Sequence, residues 1–178
     1  MSHFALWEAI ASGTRVVTVC EDDAILAPDF IATGNARLAA LPGGWDIVLW
    51  GWNFDSWLVF DVLPGQPAFL MHAKKPVTAD NLAAAAQASA SPQLFRLHRA
   101  CGTLCYTISP KGAAGLLARC RPLQSLQVVM PEVRLSVPNR GIDLAMSAVY
   151  PQIVAYVSVP PLAISPNAKD GRDVGRTG

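Results

Sequence analysis

The stretch RVVTVCEDDAILAPDF, Arg15–Phe30, decides how the chain is read. Its first part, RVVTVC, is β-branched and mostly apolar, the composition of a buried strand. It then stops on three consecutive carboxylates, Glu21, Asp22 and Asp23. Strand side chains alternate, so Glu21 and Asp23 are expected on one face and Asp22 on the other. In an open α/β sheet, ligands gather at the carboxyl ends of the strands, and the acids stand at such an end. Three neighbouring carboxylates in an apolar setting repel one another and need a compensating cation. Hard oxygen ligands suit Mg2+ or Mn2+, which keep waters and complete their shell with substrate phosphates. A solvated loop is the plain alternative, and the triplet alone does not decide between the two.

The flanks set the fold class. SHFALWEAIASG carries apolar residues at helical spacing, with Ser2 as N-cap and Gly13 as stop. PDFIATGNARLAALPGG reads as a second helix, opened by Pro28 and ended by Pro42-Gly43-Gly44. WDIVLWGW is a second buried strand. Helix, strand, helix, strand is the rhythm of an α/β fold, expected as a mixed, mostly parallel sheet covered by helices. Further on, a strand or two around Trp57–Val62, a turn at Pro64-Gly65 and an alanine-rich helix after Thr78 are expected. LFRLHRACGTLCYTIS reads as extended and broken at Gly102. A helix capped by Ser109 with Pro110 at its first position follows. A short helix over Gly141–Tyr150 and the strand IVAYVSV come last. One domain over residues 1–166 and a frayed polar tail over 167–178 result.

The 178 residues suffice for one domain with a substantial core, and 52% are hydrophobic against 15% charged. A net charge of +1 without a basic stripe argues against nucleic acid as a partner. No apolar run reaches the roughly 18–20 residues that span a bilayer, and the N-terminus lacks a basic region before its apolar part. The expected location is therefore cytoplasmic, at most at the inner face of the membrane, with the four cysteines reduced.

Six segments occur in a telling order: SHFALWEAI, VVTVCEDDAILAPDF, WDIVLWG, CGTLCYTISPKGAAGLL, GIDLAM and VPPLAISPN. Together they cover residues 2–167 and resemble glycosyltransferase family 25, the lipooligosaccharide and lipopolysaccharide glycosyltransferases. The resemblance implies a GT-A-like, Rossmann-like fold, a UDP-sugar donor (commonly UDP-galactose), a saccharide acceptor and Mn2+ or Mg2+. Glu21, Asp22 and Asp23 match the acidic motif that in such enzymes holds metal and donor diphosphate, with Glu21 and Asp23 as the metal ligands. His3 matches the SH motif on the donor side. Asp143 matches the acid of the ID segment and takes the catalytic role of orienting or deprotonating the acceptor hydroxyl. The family usually begins with a further strand and helix, and this chain starts directly on the SH helix. It is thus expected to be a shortened member, the alternative being a non-catalytic relative that binds a saccharide or a protein. CGTLCY also departs from the family's TYGY-like stretch.

Trp52 and Trp57 follow the WDIVLWG strand and are acceptor-binding candidates, because sugars stack on aromatic faces; core packing is the competing role for tryptophan. His98, Cys101 and Cys105 invite a zinc reading, but on one strand Cys101 and Cys105 lie about 13 Å apart, too far to share a tetrahedral ion. His72, Lys74 and Lys75 are candidates for a diphosphate contact, as is Lys111 at a helix start. A solvated loop and an exposed capping turn are the competing roles.

Overall fold

The computed structural model describes residues 2–71, 77–87, 91–124, 127–131 and 134–165. In chain order the elements are α1 His3–Ala11, β1 Val17–Cys20, β2 Ile25–Leu26, α2 Phe30–Ala40, β3 Ile47–Gly51, β4 Trp57–Leu63 and β5 Gln66–Met71. Then come α3 Ala79–Gln87, β6 Gln93–Ala100, β7 Cys105–Ile108, α4 Pro110–Cys120, β8 Gln127–Met130, β9 Leu135–Pro138, α5 Ile142–Val149, β10 Ala155–Val159 and β11 Ala163–Ile164. His72, Lys74, Lys75 and the expected tail lie outside the described residues.

The α/β class is as expected, but the mostly parallel sheet is not. The seven strands run in the order β1-β7-β3-β10-β6-β4-β5, and among the described residues only β3 and β10 pair in parallel. The reason is where the chain turns. β1 and β3 are each followed or preceded by a helix, which suggests crossovers, yet β7 inserts antiparallel between them. The Pro64-Gly65 turn, with Gly65 at φ +72°, closes β4 and β5 into a hairpin. β6 serves two neighbours: residues 93–96 pair with β10 and residues 97–100 with β4.

A second correction concerns β1. It is an edge strand, not a buried one, with Val17, Thr18 and Cys20 exposed and Val16 half open to solvent. β-branched composition selects a strand but does not say where in the sheet it lies. The strand buried on both faces is β3. Its Ile47 and Leu49 face a core built with Trp7 and Ile10 of α1, Leu116 of α4 and Met146 of α5. Its Val48 and Trp50 face a smaller core with Ala27, Leu104, Leu162 and Ala163.

The caps follow the sequence. Ser2 Oγ accepts from Ala5 N at 3.4 Å and Ser109 Oγ from Gly112 N at 3.0 Å. Asp46, buried ahead of β3, ties three elements together. Its Oδ2 accepts from Val154 N at 2.7 Å, its carbonyl accepts from Ser109 N at 3.0 Å, and Lys111 pairs with Oδ1 at 3.1 Å. Gly112 lets α4 reach this point, since a Cβ there would stand 2.1 Å from the Asp46 carbonyl oxygen. Lys111 is therefore an exposed clasp at the helix start. The β8–β9 hairpin and the short β2–β11 pair were not expected from sequence. Among the described residues no helix is long and apolar enough to cross a membrane.

Candidate functional site

The ends of β1 and β3 and the start of β7 lie together, with Cys20 and Gly51 both paired to Cys105. Beyond β1 the backbone makes one more ladder bond, Glu21 N to Leu104 O at 2.8 Å. It then turns, and Ala24 N donates to Glu21 O at 3.2 Å. Strand alternation thus ends at Cys20, and the expected division of Glu21 and Asp23 from Asp22 by strand face does not apply in this turn. All three carboxylates are exposed. Thr103 donates its hydroxyl to Glu21 Oε1, and Ser165 Oγ donates to Asp23 Oδ2 at 2.5 Å. Each bond fixes the orientation of its carboxylate.

Behind the acidic turn runs the Cys101–Leu104 link between β6 and β7. Gly102 adopts φ +95°, a left-handed conformation that glycine adopts without a Cβ clash. The Cys101 carbonyl accepts from Asn53 N at 2.9 Å, and Gly102 N donates to Asp143 Oδ2 at 3.4 Å. Asp143 sits in the first turn of α5, where a carboxylate meets the positive end of the helix. Gly102 to Leu104 is three residues, at most about 10 Å of chain. This link touches Asp143 at one end and Glu21 at the other, through Thr103 and Leu104.

His3 stands at the start of α1, and its Nδ1 lies 2.8 Å from the Tyr106 hydroxyl. That hydroxyl also accepts from Trp7 Nε1 at 3.0 Å. The three groups are all satisfied when Tyr106 gives its one hydrogen to His3 Nδ1, which leaves the ring proton on Nε2. Burial pushes the His3 imidazole below its ordinary 6.5, against the opposing pull of the Glu21 charge. Burial also pushes the Tyr106 hydroxyl up, so it stays protonated and able to donate.

A stability prediction follows, and its sign is opposite to that of a histidine in an ion pair. The folded chain holds a neutral His3, while the unfolded chain binds the proton more readily. The contribution is complete above about pH 6.5 and is lost as pH falls from there through the lowered folded value. His3 is only half-buried, so the slope is a fraction of the roughly 1.4 kcal/mol per pH unit of a full proton. Urea unfolding at about pH 7.5 and about pH 5.5 should show wild type losing more stability on acidification than His3→Gln. Equal losses in both proteins refute the assignment.

The tryptophans separate. Trp52 is 2% exposed and stacks on Phe54, ring centroids 5.2 Å apart at 8°. Trp57 opens β4 half-buried, and its indole Nε1 is buried without a hydrogen-bond partner among the described residues. His98 Nε2 bonds Asp61 Oδ1 at 2.8 Å across β6 and β4, and among the described residues no three His, Cys, Asp or Glu side chains form a metal-holding group. Tyr106, Thr103 and Asn53 were not singled out from sequence. Tyr106 alternates with Cys105 and Thr107 along a short apolar strand, and nothing in that pattern marks a hydroxyl aimed at a residue 103 positions away.

No curated protein and no solved structure matches the chain. The family model described as Glycosyltransferase family 25 (LPS biosynthesis protein) matches residues 1–131. That span is well over half of the 178 residues. It holds His3, the acidic turn, the Gly102 link and Tyr106, and ends before Asp143. The chain belongs to glycosyltransferase family 25.

Proposed function

We propose that this chain transfers a hexose, galactose being the first choice, from a UDP-sugar to a saccharide hydroxyl during assembly of a cell-surface polysaccharide. Family membership supports glycosyl transfer. The observation that carries the finer reading is the Gly102–Leu104 link, which holds Glu21 on one side and Asp143 on the other. A donor diphosphate at the acidic turn and an acceptor hydroxyl at Asp143 would then be neighbours.

A hard divalent cation, Mn2+ or Mg2+, is part of this proposal, and two features of the acidic turn support it. Thr103 and Ser165 each engage a single oxygen of Glu21 and Asp23, and a carboxylate has two. Mg2+ and Mn2+ need only one or two protein carboxylates when diphosphate and water supply the rest, so a cage of three protein ligands is not required. Such an ion, when bound, stabilises the negative charge that develops on the leaving UDP. Glu21 and Asp23 would hold it, and Asp22 would complete the acidic turn that faces the donor. His3, neutral and with its proton on Nε2, donates to the donor rather than competing for the cation. Asp143 orients the acceptor hydroxyl or takes its proton. Trp57 is the acceptor-side wall; Trp52, buried and stacked on Phe54, offers no open ring face to a sugar and packs instead.

The test is calorimetry of UDP binding in the presence of Mn2+. Asp23→Ala should weaken the interaction at least about tenfold, the loss of a charged ligand worth about 1.4 kcal/mol or more. Equal binding by wild type and variant overturns the metal and donor assignment. A panel of UDP-sugars scored by UDP release then identifies the donor.

A further inference from the structure

Cys20 closes β1 and Cys105 opens β7, and the strand register sets them directly opposite. One step along, Glu21 N donates to Leu104 O at 2.8 Å, the bond of a hydrogen-bonded position. By alternation Cys20 and Cys105 are a non-hydrogen-bonded pair, the kind whose Cα atoms approach to about 4.5 Å. That separation lies inside the range a disulfide spans. The two Sγ atoms are 2.7 Å apart, closer than sulfurs approach by ordinary packing. Cys20 is exposed, whereas Cys101, Cys105 and Cys120 are buried. Glycosyl transfer uses neither thiol of the pair.

We propose that Cys20 and Cys105 are a redox-modification site, a dithiol that closes to a cross-strand disulfide and fastens the end of β1 to β7 just ahead of the acidic turn. The oxidant is a low-molecular-weight disulfide of the glutathione class. The exposed Cys20, as thiolate, attacks one sulfur of oxidised glutathione; that S–S bond breaks and one glutathione thiolate leaves. Cys105 then loses its proton to solvent and its sulfur attacks Cys20 Sγ, which expels the second glutathione thiolate. Two protein thiols lose two electrons and two protons, and glutathione disulfide becomes two glutathione thiols. The order of attack follows from access: Cys20 is exposed and Cys105 buried, so Cys105 reacts second and within the molecule, where its partner is already in contact.

The site stands independently of the sugar-transfer reading, and so does its test. The folded protein is incubated with oxidised glutathione, alkylated under denaturing conditions and weighed intact. Free thiols should fall from four to two, so the intact mass is that of a chain two hydrogens lighter carrying two alkyl groups and no glutathione, and proteolytic mapping should join Cys20 to Cys105. The melting temperature should rise and return with dithiothreitol, because a long loop is closed. Cys105→Ser should instead keep one glutathione on Cys20. A stable glutathione adduct on wild type, an unchanged thiol count, or a bridge between other cysteines overturns the proposal, and none of these readouts requires the variant to fold.

Discussion

A Gly102→Ala variant is expected to lose about 2–4 kcal/mol of stability and at least tenfold in affinity for UDP with Mn2+. Two costs coincide at this position. The backbone sits at φ +95°, where an L side chain is strained by about 1–3 kcal/mol. The added Cβ would stand 2.4 Å from Asn53 Oδ1 and 2.9 Å from Asn53 N. Relief by moving the link would break the bond from Asn53 N to the Cys101 carbonyl and that from Gly102 N to Asp143. The same three residues hold Thr103 against Glu21, so the shift reaches the acidic turn. Urea unfolding and calorimetry on the same preparation measure both effects. The pair Gly102→Ala with Asn53→Ala separates the causes: removing the Asn53 side chain relieves part of the clash and leaves the backbone strain. Stability within about 0.5 kcal/mol of wild type would show that the link has another accessible path.

What could be read from sequence, and what could not, divides along physical lines. The helix at Ser109-Pro110 and the helix after Ser2 were legible because caps act on neighbouring residues. β3 was legible because a strand buried on both faces is apolar without interruption. The break at Gly102 was legible because glycine marks a backbone that other residues avoid. Strand direction was not, because nothing local in WDIVLWG distinguishes a parallel neighbour from an antiparallel one, and β7 arrives from some 55 residues further on. The exposure of β1 was hidden for the same reason: Val16 and Val17 have identical chemistry at a sheet edge and at its centre. At the site, the carboxylates announced themselves as three adjacent charges. Their supports did not. Thr103, Tyr106 and Asn53 are ordinary residues that matter only through contacts made across long stretches of chain. Lys111 shows the converse: it drew attention at a helix start and is spent on Asp46 and the Gly44 carbonyl.

Asp143→Asn is expected to lower kcat by about 10²–10⁴ while leaving UDP and Mn2+ affinity within about threefold of wild type. The substitution keeps the side-chain oxygen that accepts from Gly102 N, so the link and the acidic turn should hold their positions. Loss of the charge from the first turn of α5 costs only about 0.3–1 kcal/mol of stability. What the amide cannot do is take a proton from an acceptor hydroxyl or hold it in a charge-assisted hydrogen bond. The effect therefore belongs in kcat and in the acceptor KM, and not in donor binding. That pattern differs from the one expected of Asp23→Ala, where donor binding itself fails. Steady-state kinetics with saturating donor, calorimetry of UDP and a thermal melt together decide the matter. Should kcat persist while the melting temperature falls, Asp143 serves only the end of α5 and the Gly102 turn. Should donor affinity fall with kcat, the two carboxylates act as one donor site, and the acceptor hydroxyl must be sought at another residue along the Trp57 wall.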